Sequence, residues 1–280
     1  MSDADRVAIR HRVESTYGAL ETGNKFTNDR LTSESLGQNT TFIQSNELVT
    51  DRQVSDMIRA GLSGGGTIEG ELSYGAYDDF LYGSLFSAAW GSAVNSTETT
   101  YSMANSDNSI NDSASAFVSD GFLANQWIHV TGFTGDTSNN GYYKIASVAA
   151  GKMVLSGGTV ADDAAGESVT ISMGSQIVNG TTLTSWNIEK QFADLTNEYE
   201  IMTGAVTESF SLSVTPEQIV TCGFDFLSQD SVTASATTGD GSPTAAATNP
   251  IFNAIDDVVA ILEGYTAYGS TNFNLTVNNN

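Results

Sequence analysis

Polar and apolar residues alternate with a period of two along much of the chain, the pattern of strands with one buried face. Over 66–74 the alternation sets Ile68, Leu72 and Tyr74 on one side and Thr67, Glu69, Glu71 and Ser73 on the other. Over 206–214, Val206, Glu208, Phe210, Leu212 and Val214 alternate with Thr207, Ser209, Ser211 and Ser213. Further strands are predicted over about 40–46, 51–59, 183–190 and 219–228. Two short helices stand out. One covers 78–86, with Asp78 and Asp79 in the first turn, where carboxylates favour the helix dipole. The other covers 250–257 and begins at Pro250, a residue suited to a first helical turn.

The texture changes between 105 and 175. A polar stretch over 105–113 leads into compact strand patterns at 127–130, 142–145, 152–155 and 168–171. Asn139-Asn140-Gly141 and Gly157-Gly158 supply hairpin chemistry between them. The flanks read as strands of a larger domain. The predicted organisation is therefore a discontinuous β domain over 1–104 and 176–280, carrying an inserted small β-barrel-like domain over 105–175. A stretch of small residues over 233–249 reads as a mobile surface loop.

Composition narrows the classes. Ten Lys and Arg stand against 33 Asp and Glu, a formal net charge of −23. Such a chain lacks the clustered cations that neutralise nucleic-acid phosphates, and an anionic membrane would repel it. Residues 1–59 hold seven basic and nine acidic groups, a net of −2, so the remainder carries −21. One reading is solubility alone. The sharper one is that the arginine-bearing N-terminal part meets acidic surface on another copy of the chain. One cysteine, Cys222, leaves no intrachain disulfide and no multi-thiolate metal site. No apolar run is long enough for a membrane-spanning helix, and the first residues lack the regions of a signal peptide.

No catalytic constellation emerges, and no cofactor or metal is expected. His11 and His129 lie far apart, and His129 alternates with Ile128 and Val130 on a strand. Gly61-Leu62-Ser63-Gly64-Gly65-Gly66 lacks the Gly-Lys-Ser/Thr ending of a phosphate loop and feeds a strand, so it reads as a flexible loop. Cys222 sits in an apolar strand as a buried, inert thiol. Glu69 and Glu71 lie roughly 6–7 Å apart on one strand face. No sugar-stacking aromatics flank them, so a solvated charged row fits better than a glycosidase pair.

Several ordered segments resemble the major tail tube protein family of long, non-contractile-tailed bacteriophages. Glu14-Ser15-Thr16-Tyr17-Gly18 is similar to the family's opening E-x-T-Y-G, and 31–36, 45–52 and 65–81 continue the likeness. Ser185-Trp186-Asn187-Ile188-Glu189-Lys190-Gln191-Phe192-Ala193-Asp194 resembles its S-x-x-I/L-E-K-x-F-x-D strand, and 199–204 follow it. Segments at 121–133, 139–141 and 164–171 resemble a small β domain inserted in many such proteins. The family pattern has a further strand after 273–277, whereas this chain stops at Asn280.

The resemblance implies a mainly β tail-tube sandwich or barrel with one or two short helices, a virion protein and not an enzyme. It also implies hexameric rings stacked into a hollow tail tube, assembled in the host cytoplasm. The genome would leave through that tube without specific binding, and no membrane is involved. The implied partners are other copies of the chain and the tape-measure, tail-terminator and distal-tail proteins. On that footing Glu69, Glu71 and Ser73 are the candidates for lining the bore. Arg6, Arg10, Arg12, Arg52 and Arg59 are the candidates for subunit contacts, with 37–64 as the assembly loop. The alternative is a virion decoration or adhesion protein whose insert binds glycans through Trp127, Tyr142 or Tyr143, although their alternation favours core packing.

Overall fold

A computed structural model describes residues 6–46, 56–253, 261–262, 265–266 and 273–279. The chain opens with β1 (Val7–Val13), β2 (Thr27–Asn28), β3 (Ser33–Glu34), β4 (Gly37–Gln44), the long β5 (Met57–Glu71) and helix α1 (Asp78–Ser84). Then come β6 (Val94–Glu98), β7 (Tyr101–Ala104), β8 (Ser109–Asp112), helix α2 (Phe117–Asp120), β9 (Trp127–Thr131), β10 (Gly141–Ala149), β11 (Lys152–Ser156) and β12 (Val169–Met173). The last part holds β13 (Trp186–Phe192), β14 (Tyr199–Val214), β15 (Thr221–Ser228) and β16 (Asp230–Ala234). It closes with the short pair β17 (Ile261–Leu262) and β18 (Tyr265–Thr266), and with β19 (Phe273–Asn278). The molecule is mainly β, as the alternation predicts.

Two compact units emerge: Met1–Ala89 with Ile177–Val258 and Ser270–Asn280, and Trp90–Gln176 with Val259–Gly269. In the first, one sheet runs β2-β1-β13-β14-β15-β5-β3 and curls into a half-barrel. Strand β14 organises it. Its first half pairs with β13 and β16, its second with β15 and β19. The core gathers Ile68, Tyr77, Phe80, Trp186, Phe210, Phe224 and Phe226. Phe80 lies at its centre, with ring centroids 5.0 Å from Phe226, 5.5 Å from Phe224 and 5.6 Å from Trp186. Helix α1 thus plugs the curled sheet with one aromatic, as its apolar face predicts. The second unit is a sheet ordered β6-β12-β9-β10-β11-β8-β7 over its own core, which includes Tyr101, Ile110, Phe117, Phe122, Ile128, Val130 and Ile171.

Several local expectations change. The alternation over 206–214 breaks at a bulge between Thr207 and Ser209. Before it Thr207 faces inward and is buried; after it Phe210 does, while Glu208 is exposed. One extra residue flips the phase, which a strict period of two cannot foresee. The glycine run 61–66 lies inside β5 and is not a loop. At Gly66 (φ +140) a Cβ would strike the backbone at Ser35, so glycine there serves close approach of chains.

Gly157-Gly158 is not a hairpin turn, because β11 pairs with β10 and β8 and not with β12. The β10–β11 turn lies at Ala150-Gly151, between the paired Ala149 and Lys152. The helix expected at 250–257 does not start there, since Ile251 and Asn253 make β-bridges to Ser73 and Ile219. Positions 254–257 lie outside the described residues. The stretch 233–249 is anchored: Asn28 N–H donates to Thr244 O (2.9 Å) and Thr244 N–H to Phe26 O (2.8 Å).

Candidate functional site

Three surfaces carry chemistry in the first unit, and the register of the strands defines each. The first is the outer, polar face of β3, β5, β15, β14 and β19. One row runs Ser33, Glu69, Gly223, Ser211, Thr276. The next runs Thr67, Asp225, Ser209, Asn278, and a third Glu71, Thr221, Ser213, Asn274. Three carboxylates, several hydroxyls and two amides share this face, and no Lys or Arg stands in the three rows. The carboxylates are held by hydroxyls: Ser33 Oγ donates to Glu69 Oε2 at 2.7 Å, and Thr67 Oγ1 to Asp225 Oδ1 at 2.5 Å. Ser209 Oγ donates to the second Asp225 oxygen. Glu69 is exposed; Glu71 and Asp225 are half-buried.

Of the residues singled out in the sequence, Glu69 and Glu71 lie in these rows and Ser73 does not. Ser73 is buried and accepts a hydrogen bond from Arg30 Nη1 at 3.0 Å, so it offers nothing to solvent. Tyr74, expected on the core side, is exposed because β5 ends at Glu71. Asp225 escaped notice. Its signal was the alternation of Cys222, Phe224 and Phe226 with Gly223 and Asp225 in a strand already predicted.

The second surface is the arm made by β4 and the first half of β5. From Gln38 to Gln44 every residue of β4 is exposed. Phe42, Ile43, Met57 and Ile58 are each 57–61% exposed. Adjacent residues of a strand point to opposite faces, so exposure of both members of each pair means that the arm has solvent on both sides. Four large apolar groups left this way form the kind of exposed patch that is common at contact surfaces. Arg59 is exposed on the same arm, opposite Phe42. Arg52 lies outside the described residues.

The third is the polar seam between β1 and β13, and here the N-terminal arginines find partners within the chain. Arg10 pairs with the fully buried Glu189 at 3.0 Å and donates through Nε to Asn28. Arg12 is buried, bonded to Asn187, to the carbonyls of Asn24 and Thr238, and stacked 4.3 Å above the Phe26 ring. Neither is free for a neighbouring copy; Arg6 is exposed. Glu14 is buried too. It accepts from Gly18 N–H (2.9 Å), Gly204 N–H (2.7 Å), Ser185 Oγ (2.6 Å) and the Asn187 amide. Lys190 meets Glu34 at 2.6 Å. Thus Glu14-x-x-x-Gly18 and Ser185-x-Asn187-x-Glu189-Lys190 form one network across antiparallel strands.

His11 is buried with Nδ1 2.6 Å from Asp29 and Nε2 3.0 Å from Asp79. Burial alone would lower its pKa, but the two carboxylates outweigh burial and raise it to about 10. This imidazolium ties β1 to the helix that carries Phe80. Cys222 is buried, and burial pushes its thiol up to about 12, which suits the inert role expected. An open cleft of about 880 Å³ beside Val7, Arg10, Leu31 and Glu34 has its main charges already engaged, Arg10 by Glu189 and Glu34 by Lys190. Among the described residues no cluster of three or more His, Cys, Asp or Glu is arranged to hold a metal ion.

In the second unit the three aromatics separate. Tyr143 is buried and its hydroxyl donates to Asn139 O at 3.1 Å, whereas Trp127 and Tyr142 are exposed.

A search of curated proteins found no match. A family model described as phage tail tube protein matches residues 4–280, which is nearly the entire chain. It spans both β1–β13 motifs, the arm and the carboxylate face. The chain belongs to the phage tail tube protein family.

Proposed function

We propose that the chain assembles as stacked, hexameric rings into the tail tube of a long, non-contractile-tailed phage, and that the face bearing Glu69, Glu71 and Asp225 lines its bore. The observation that carries this reading is the face itself: five strands wide, three carboxylates, no cation in its rows. A conduit for duplex DNA must not bind its cargo. Fixed carboxylates repel phosphates, and a wall without Lys or Arg gives no site for counterion release, the main driving term of non-specific DNA binding.

The β4–β5 arm supplies the contact between copies. Its apolar groups are unsatisfied in a single chain, and an arm with two open faces can lie across a neighbour. Arg59 and Arg52 would meet the acidic surface of that neighbour and set its register. The 105–175 module lies on the outside of the tube in this reading, because a domain of that size would block a bore about one duplex wide. Tape-measure, terminator and distal-tail proteins are the remaining partners, with assembly in the host cytoplasm.

Negative-stain microscopy of the purified protein tests this. Wild type should form tubes or rings unaided. Arg52→Glu and Arg59→Glu should stay dispersed while melting like wild type. Normal tubes from both variants would remove the arginines from the contact, and a monomer at high concentration would overturn the reading.

A further inference from the structure

We propose that the outer face of the seven-stranded sheet is a saccharide-binding surface centred on Trp127 and Tyr142. Strand register places Trp127 opposite Lys144 and His129 opposite Tyr142. The His129 and Tyr142 rings stack, with centroids 4.3 Å apart and planes 19° from parallel. That contact holds the Tyr142 ring against His129 although Tyr142 is 60% exposed. Trp127, 40% exposed, stands two residues from His129 on the same face, about 7 Å away by strand rise. Two exposed aromatic side chains on one face, with His129 beside them, make up the aromatic platform of the site.

The platform is edged by hydroxyls and an amide. Thr131 pairs with Thr170, Thr170 with Thr97, His129 with Ser172 and Ser172 with Asn95. Thr97 and Thr170 hydroxyls lie 2.8 Å apart. No carboxylate stands among these nine positions, in a chain where acids outnumber bases 33 to 10. Lys144 is the one Lys or Arg among them.

That combination selects the ligand. A sugar ring presents one apolar face of C–H groups, which stack on an aromatic face, and an equatorial belt of hydroxyls, which pair with Thr, Ser and Asn. A protein partner would bury these aromatics in a packed, apolar patch core; here polar hydroxyls flank them at once. Nucleic acid needs a cluster of cations, and one lysine does not supply it. Lys144 beside Trp127 suits a carboxylate or sulfate on the sugar. The site lies within one unit, so it stands whether or not the chain forms tubes.

Affinity electrophoresis of the full chain tests it, since the net charge of −23 carries the protein readily through a native gel. Gels cast with dextran or mannan serve as neutral probes, and alginate or hyaluronan as acidic ones. The wild type should be retarded by at least one polysaccharide. Trp127→Ala combined with Tyr142→Ala should weaken that retardation at least tenfold, with unchanged mobility in a plain gel and unchanged melting. Lys144→Gln then identifies the source: selective loss on acidic gels assigns an anionic saccharide, and full retention assigns a neutral one. Absence of retardation in all four gels, or full retardation of the double variant, overturns the proposal. Failure of the double variant to form tubes that wild type forms also overturns it, making the face a contact between copies.

Discussion

At the scale of residues, the two motifs that carry the family likeness turn out to be halves of one polar network. Glu14 reaches Ser185, Asn187, Gly204 and Gly18, and Arg10 reaches Glu189. Gly18 holds φ +72, and a Cβ there would collide with the Gln229 side chain, so glycine is required at the end of the first motif. Removing one partner of a buried pair leaves an uncompensated charge. Arg10→Ala should therefore destabilise the fold by about 3–5 kcal/mol in chemical denaturation, and adding Glu189→Gln should restore part of the loss. His11 makes a pH prediction. Its folded pKa of about 10 lies above the ordinary 6.5, so its contribution is complete below pH 6.5 and is lost as pH rises towards 10. Thermal melts across that window should fall for wild type and fall less steeply for His11→Gln. These pairings were not legible in the sequence, because Arg10 and Glu189 stand 179 positions apart and only the fold joins them.

At the scale of elements, most strands and α1 were legible, since each buries one face and alternation reports that directly. What failed did so for identifiable reasons. The bulge near Glu208 shifts phase by one residue, and the glycines of β5 look like a loop until the backbone of Ser35 is seen against them. Strands β6, β7 and β8 are short and rich in Ser, Thr and Asn, so their pattern is weak. The outer row containing Glu69 and Glu71 was readable, but the placing of Ser73 was not: a buried serine under Arg30 looks like any other polar position. The β4–β5 arm makes a prediction at this scale. Phe42→Asp with Ile58→Asp should leave melting unchanged, because neither side chain packs in the core, and should abolish tube formation seen by sedimentation. Tubes formed at the wild-type rate would show that the arm is not a contact.

At the scale of the whole molecule, charge and modularity decide what the chain can do. The second unit has its own sheet and its own core. Replacing the whole of 90–176 by a short linker should therefore leave tubes intact in micrographs, whereas collapse of assembly would mean that the module bridges subunits. Charge inversion tests the bore. Tubes carrying Glu69→Lys and Asp225→Lys should bind duplex DNA in a mobility-shift assay at low salt and release it as salt rises, while wild-type tubes should not bind. The measurement that bears most directly on the account is a cryo-EM map of tubes grown from the purified chain. The account predicts Glu69, Glu71 and Asp225 on the inner wall. A wall formed by another face, or one dominated by Lys and Arg, would contradict it.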